Sequence, residues 1–475
     1  MPCCRGHGFD PRPPGRAGSP RTPPIGPALP HAAARLLNGV TMDALSRRTL
    51  LTAGAATAAA LAAGCGNDHA TGGERTPGSA APTGAGDGQG ASPTPAPVPK
   101  PQAVLIGDGS TSDTGEQPHQ PVPERLRPGQ RPPQFVVFSW DGAGELDNGL
   151  FARFRRLAQE HDAKMTFFLS GLYLLPESKK DLYRPPQHKV GASDIGYLSD
   201  QHIRDTLENL HAAWLEGHEI GTHFNGHFCG ATGVGKWSPE EWDSEIQQAM
   251  DFVTNWRTNT GFTDLPALPF DYRKELIGSR TPCLEGQRNL LPTAVKRGWR
   301  YDSSGNGTQV WPQKIQGGAL WDLPLQSIPF PGHTFQVLSM DYNIMYNQCG
   351  PNTKADPALH PGFQTQARDA YLMGFERTYN GNRAPYVIGN HFEEWNGGIY
   401  MNAVEDVLRA IAGKPEVRLV SFRQLVDWLD AQEPAVLRKL QTLAPGQAPA
   451  GGWEAFLGVP AAATAPSAAT AAATG

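Results

Sequence analysis

No stretch of this chain holds eighteen consecutive apolar residues, so no segment is a candidate for a permanent transmembrane helix. Charge is sparse as well: ionisable types make up 18% of the chain, and its net charge of −5 supplies no basic stripe for nucleic acid. A Gly-x-Ser-x-Gly elbow is missing, and Tyr301-Asp302-Ser303-Ser304-Gly305 does not supply one, which argues against a serine-type esterase on an α/β sheet. No internal repeat is present. Cysteine is scarce at six residues. What the chain has in quantity is glycine, 54 residues, and proline, 44, concentrated towards its two ends.

Those ends read as segments outside a folded core. Ser46-Arg47-Arg48-Thr49-Leu50-Leu51 precedes an Ala/Leu-rich stretch that closes on Leu61-Ala62-Ala63-Gly64-Cys65. A charged start, a short apolar centre and small residues at the end make an export signal. Its paired arginines resemble the twin-arginine type, and Gly64-Cys65 resembles a lipoprotein cleavage site at which the Cys65 thiol is lipidated; the alternative is ordinary cleavage with Cys65 incidental. Residues 1–65 are thus read as leader and signal, with Met42 the natural start. Residues 66–133, with runs such as Pro93-Thr94-Pro95-Ala96-Pro97, are expected to be a disordered tether. Residues 433–475 are expected to be a low-complexity tail. The outcome would be an exported domain, 134–432, held at a bacterial membrane by a lipid anchor. Three cysteines remain in it. In an exported protein they suggest one disulfide and one leftover thiol. Cys229 with Cys283 is the favoured pair because the two flank the candidate site, and buried free thiols are the alternative.

Between the ends, strand and helix signals alternate. Phe135–Trp140, Met165–Leu169, Glu219–Thr222, Ile277–Ser279, Trp299–Tyr301, Pro385–Asn390 and Val417–Val420 read as strands. Helical patterns run through Phe151, Phe154 and Leu157 and from Ile203 to Leu215. Ser238-Pro239-Glu240-Glu241 is a capping box with proline at the first helical position, and Ser421 opens a last helix through Leu429. Such alternation predicts a parallel α/β fold, open or closed into a barrel. In either form sites gather at strand ends, where Asp141, His223 and Arg280 fall.

One carboxylate with two imidazoles four residues apart, Asp141 with His223 and His227, suits a borderline cation such as Zn²⁺, with water in the fourth position. A polar turn with backbone-bonded histidines is the plainer alternative. Gly230-Ala231-Thr232-Gly233-Val234-Gly235-Lys236 imitates a phosphate-binding loop. Trp237 replaces the required hydroxyl residue and no strand immediately precedes it, so a surface loop is expected.

Five stretches in order resemble the polysaccharide deacetylases, the carbohydrate esterases that include chitin and peptidoglycan deacetylases and carry the NodB-homology domain. Phe138-Ser139-Trp140-Asp141-Gly142 is similar to that family's Thr-Phe-Asp-Asp-Gly. His223 to His227 resembles its His-Ser/Thr-x-x-His motif, and Arg280-Thr281-Pro282 its Arg-x-Pro motif. Arg300-Tyr301-Asp302-Ser303-Ser304 and Asn390-His391-Phe392 resemble its last two stretches. The resemblance spans roughly 134–432 and implies a single distorted (β/α) barrel. It further implies that Asp141, His223 and His227 hold the metal, that the backbone N–H near Cys283 serves an oxyanion hole, and that His391 is the general acid. Arg280 would orient the base carboxylate.

On that alignment Trp140 occupies the base position, and indole accepts no proton. A general base is worth ~10²–10⁴-fold, so its loss would weaken catalysis. Glu145 and Asp302 are candidate substitutes; their plainer readings are a solvated loop charge and a turn cap. Trp140 itself is either a stacking face for a sugar or a packed core indole. His391 and Arg280 likewise have plainer alternatives, a satisfied core histidine and a structural salt bridge. The expected activity is metal-dependent deacetylation of N-acetylated cell-envelope glycan, peptidoglycan or chitin-like. The rival is a non-catalytic glycan-binding protein that retains the metal site.

Overall fold

The computed structural model describes residues 103–458. A short antiparallel pair, β1 (Val104–Ile106) and β2 (Thr111–Asp113), opens this span. β3 (Gln134–Asp141) follows, buried along its whole length, as a strand covered on both faces must be. Then come α1 (Leu150–Glu160), β4 (Thr166–Leu169), α2 (Asp200–Leu215), β5 (Glu219–Thr222), α3 (Pro239–Thr254), α4 (Trp256–Thr260) and α5 (Tyr272–Glu275). The next elements are β6 (Gly278–Ser279), α6 (Gln287–Lys296), β7 (Tyr301–Asp302), β8 (Asn306–Gly307), β9 (Gln313–Ile315), β10 (Leu320–Asp322), β11 (Leu325–Pro329) and β12 (Gln336–Leu338). The described residues close with α7 (Asp341–Cys349), α8 (His360–Tyr379), β13 (Tyr386–His391), α9 (Trp395–Ala412), β14 (Val417–Leu419), α10 (Phe422–Ala431), α11 (Pro434–Leu440) and α12 (Gly452–Leu457).

The principal sheet runs β13-β3-β4-β5-β6-β7-β10-β9, and β14 pairs with the start of β3. Every pairing in it is parallel except β9 with β10. It curls into a distorted (β/α) barrel. The smaller sheet β12-β11-β8 joins it through a bridge between Met340 and Gly389. Alternation along the strands separates two cores. Trp140, Phe151, Phe154 and Phe167 fill the layer under the helices, whereas Phe135, Val137, Phe168 and Phe422 line the inner side. The capping box at Ser238 forms as read: Glu241 N–H donates to Ser238 Oγ at 3.2 Å and Ser238 N–H to Glu241 Oε2 at 2.7 Å. No described helix is long and apolar enough to cross a membrane.

Two boundaries differ from expectation. The expected tether gives way to packed chain by residue 103: Trp256 Nε1 donates to Ser110 O at 2.7 Å, and Gln117 Nε2 reaches Trp214 O at 2.9 Å. Amide and backbone bonds hold this segment, so it carries no apolar period to be read. The expected tail likewise contains α11 and α12, with Leu437, Leu440 and Leu457 buried. The export signal, Met42, Cys65, the tether to 102 and residues 459–475 lie outside the described residues.

Candidate active site

At the carboxyl end of β3, Ser139 and Asp141 share one face and Trp140 takes the other. Trp140 is fully buried, stacks on Phe392 at 4.6 Å between ring centroids, and lies 4.2 Å from Phe154. It is a packed core indole. Its side chain points away from the site, so the expectation that it occupies the place of a base is overturned by the period-2 alternation of the strand.

Arg280, just past the end of β6, is fully buried over the Phe168 ring. Its Nη1 donates to Asp141 Oδ1 at 2.8 Å and to Ser139 Oγ at 2.9 Å. Nη2 donates to Ser303 Oγ at 2.8 Å, and Nε to Ser303 O at 3.1 Å. A buried ion pair survives when its remaining donors are satisfied, and Ser139 and Ser303 satisfy them here. Burial pushes the Asp141 carboxyl up, but the charge of the Arg280 guanidinium beside it leads the opposing effects that outweigh this and hold the group below its ordinary value.

His223 follows β5. Its Nδ1 donates to Arg280 O at 2.7 Å, which fixes the tautomer, and its Nε2 is buried with no hydrogen-bond partner among the described residues. Burial lowers its pKa to about 4 against the opposing pull of Asp141. A neutral imidazole with one nitrogen pinned and a buried lone pair left over is the form a metal ligand takes. His227 is half-buried in a left-handed conformation, φ 56°, with its ring 5.0 Å from that of His223. Asp141 does not complete the expected three-point cluster. Among the described residues, the one group of three donor atoms within 4.8 Å of one another is His227, Cys229 and Cys283.

His391 ends β13 in direct register with Asp141. Its Nδ1 donates to Asp341 Oδ1 at 2.7 Å, and its backbone N–H to Asp341 Oδ2 at 2.7 Å. Asp341 was not read from the sequence, where nothing in its surroundings marks it; only the fold brings it fifty positions back to His391. Trp395, whose ring stands 5.3 Å from that of His391, was missed for the same reason, whereas Ser139 and Ser303 lie inside the motif stretches but had been given no role.

Neither expected substitute base is available. Glu145 is buried, and its carboxylate accepts from the backbone N–H groups of Phe151 and Ala152, capping α1, and from Asn209 Nδ2. Asp302 accepts from the Ser304 hydroxyl at 2.7 Å and the Ser304 N–H at 3.1 Å, a turn cap whose burial pushes it up to about 6. Cys229 and Cys283 form the favoured disulfide, and Cys349 is free. Cys283 stands in a tight turn after Pro282 with φ 54°. Residues 230–236 form two short turns and no phosphate loop.

A distorted (β/α) barrel with Asp141, His223, Arg280 and His391 at the carboxyl ends of its strands makes the chain similar to the polysaccharide deacetylases. No protein-family profile matches it and no curated protein matches it. Among solved structures, one from Mycobacterium smegmatis assigned as a polysaccharide deacetylase is 14% identical, with TM-score 0.38, over 68% of this chain and 97% of that one. The peptidoglycan deacetylase PdaC from Bacillus subtilis is 10% identical with TM-score 0.32, over 63% and 92%. A family 4 carbohydrate esterase from Streptomyces lividans, in complex with acetate, is 12% identical with TM-score 0.29, over 59% and 90%. At such values the superpositions carry no weight for function, and the motif residues and their geometry carry it instead.

Proposed function

We propose that the chain is a metal-dependent hydrolase that removes acetyl groups from N-acetylated cell-envelope glycan, peptidoglycan or chitin-like. The register pairing of Asp141 with His391 carries this reading: two groups with opposite support stand one strand apart. Asp141, kept ionised by Arg280, suits taking a proton from the attacking water. His391, backed by the Asp341 carboxylate, suits giving one to the leaving amine. Sliding the Thr-Phe-Asp-Asp-Gly resemblance by one residue sets Trp140 on its aromatic, Asp141 on its first carboxylate and Gly142 on its second. The Arg280 pairing supports that register, since Arg280 is implied to orient the base. Asp141 is therefore proposed as the base and not as a metal ligand.

The lone pair of His223 fits a divalent cation. His223 and His227 would hold it, and the bound ion, Zn²⁺ by the donor set, would supply carbonyl polarisation and a lowered water pKa. The main-chain N–H at Cys283 would face the developing oxyanion. A carboxylate held below its ordinary value by Arg280 is a weaker base than a free one, so turnover is expected to be slowed.

The full chain loaded with Zn²⁺ or Co²⁺ should release acetate from an N-acetylated oligosaccharide. Binding without acetate would favour glycan binding alone, a reading supported by the single carboxylate that stands where the motif has two. Export and lipid anchoring are proposed from residues 46–65; incorporation of labelled fatty acid should be lost in Cys65→Ala, and its retention would exclude Cys65 as the anchor.

A further inference from the structure

Cys229 and Cys283, 54 residues apart, tie the loop after β5 to the turn after β6. His227 stands beside the link, with Nδ1 3.7 Å from Cys229 Sγ. One of its ring nitrogens and the two sulfurs lie within 4.8 Å of one another, and all three residues are half-buried. The backbone at this junction is strained. His227, Cys283 and Leu284 adopt φ of 56°, 54° and 56°, the left-handed region that side chains other than glycine disfavour. The link thus joins two loops held against their backbone preference, and opening it gives the sulfurs freedom to part.

We propose that reduction of this disulfide creates a metal site of its own, in which Cys229, Cys283 and His227 take a thiophilic divalent cation. Two electrons from a dithiol reductant break the sulfur–sulfur bond, two protons cap the sulfurs, and the reductant leaves as a cyclic disulfide. Binding the cation then releases both thiol protons to solvent, because the thiolate is the ligand. Zn–S distances of about 2.3 Å and Zn–N of about 2.0 Å in a tetrahedron set sulfur and nitrogen roughly 3.6 Å apart and the sulfurs roughly 3.8 Å apart. The first separation is already present between His227 Nδ1 and Cys229 Sγ, and the Cys283 sulfur lies within 4.8 Å of a ring nitrogen of His227. The second needs the sulfurs to separate, and Cα atoms 6.0 Å apart leave room for that. Thiolates select zinc or cobalt over the harder magnesium and calcium. His227 belongs to this set and to the one proposed with His223, so filling the sulfur site takes an imidazole from the other. The inference goes beyond the hydrolase reading and does not depend on it.

The test is spectroscopic. The full chain is reduced with a dithiol, freed of reductant without air, and titrated with Co²⁺. A sulfur-to-cobalt charge-transfer band is expected in reduced protein and not in oxidised protein. It should fall sharply in Cys229→Ser and Cys283→Ser and be unchanged in Cys349→Ser. No band in reduced wild type, or one as strong in Cys229→Ser as in wild type, overturns the proposal. The wild type also tests it without substitution: Co²⁺ should slow alkylation of Cys229 and Cys283 at least tenfold while leaving Cys349 unaffected. Equal alkylation of all three with and without cobalt overturns it as well.

Discussion

His223 and His391 stand at the carboxyl ends of β5 and β13, and each is fixed through Nδ1, but their partners differ in charge. The main-chain oxygen of Arg280 holds His223; the carboxylate of Asp341 holds His391. A neutral acceptor orients a ring without favouring its protonated form. His223, buried and lowered to about 4, therefore remains a lone-pair donor at neutral pH. A carboxylate both orients a ring and favours the cation, which suits a proton donor. The same side chain is thus set for two kinds of work by what lies behind Nδ1.

The comparison breaks most visibly on the His391 side. His391→Gln should lower acetate release ~10²–10⁴-fold while metal content, measured by elemental analysis, stays at the wild-type level. Asp341→Asn should fall by less and shift the pH–rate profile. Loss of metal from either variant would show that the two histidines share one task.

Next in size is Arg280→Met, which leaves Asp141 buried without its partner and should cost about 3–5 kcal/mol in urea unfolding. The oxygen that pins His223 is main-chain, so nitrogen NMR should still find the proton on His223 Nδ1. A changed tautomer would tie His223 to the guanidinium and blur the distinction.

Glu245 sharpens the His223 side. It is buried beneath the loop that carries His223 and His227, where Tyr183 donates to it at 3.0 Å and Asn225 Nδ2 donates to its main-chain oxygen at 3.0 Å. Burial, the largest cause, raises its pKa from 4.5 to about 7 against the opposing hydrogen bonds. Between those values the folded state binds a proton that the unfolded state has lost. Stability should therefore fall as pH rises through that window, by on the order of 3 kcal/mol, and level off above it. Glu245→Gln should flatten the slope in a series of unfolding curves; an unchanged slope would place the titration elsewhere.

The smallest expected effect is Gly142→Asp. Gly142 has φ 67°, which aspartate tolerates better than most residues. A carboxylate restored there should tighten metal binding by on the order of tenfold, the lower end of what even supporting groups are worth around a metal. A titration with no change would return the ligand role to Asp141.

The parts legible in the sequence are those written in local pattern. β5 begins and ends at the residues expected, and α3 starts on its capping box, because apolar runs and cap chemistry are encoded within a few positions. The histidines and Arg280 were found because motif order survives where overall similarity does not. Trp140 is the packed core indole offered as one of its two readings, but its alignment with the base position failed because one residue of register turns a strand side chain to the opposite face. Asp341 was invisible for a different reason. Its importance comes from a contact across fifty residues, at the start of a helix whose own sequence has no clear amphipathic period. Strands β8 to β12 are two to five residues long, too short for any period to show.

The segments at the two edges of the described chain pack against the barrel and satisfy groups within it. A chain cut at 134 would leave the buried Trp256 indole N–H without the Ser110 oxygen and the backbone of Leu268 without its bonds to residues 110 and 112. A chain ended at 432 would strip Leu437, Leu440 and Leu457 from the inner core. The interval bounded by the recognisable motifs is therefore shorter than the interval that folds, and the clasp at each end belongs to the barrel as much as its strands do.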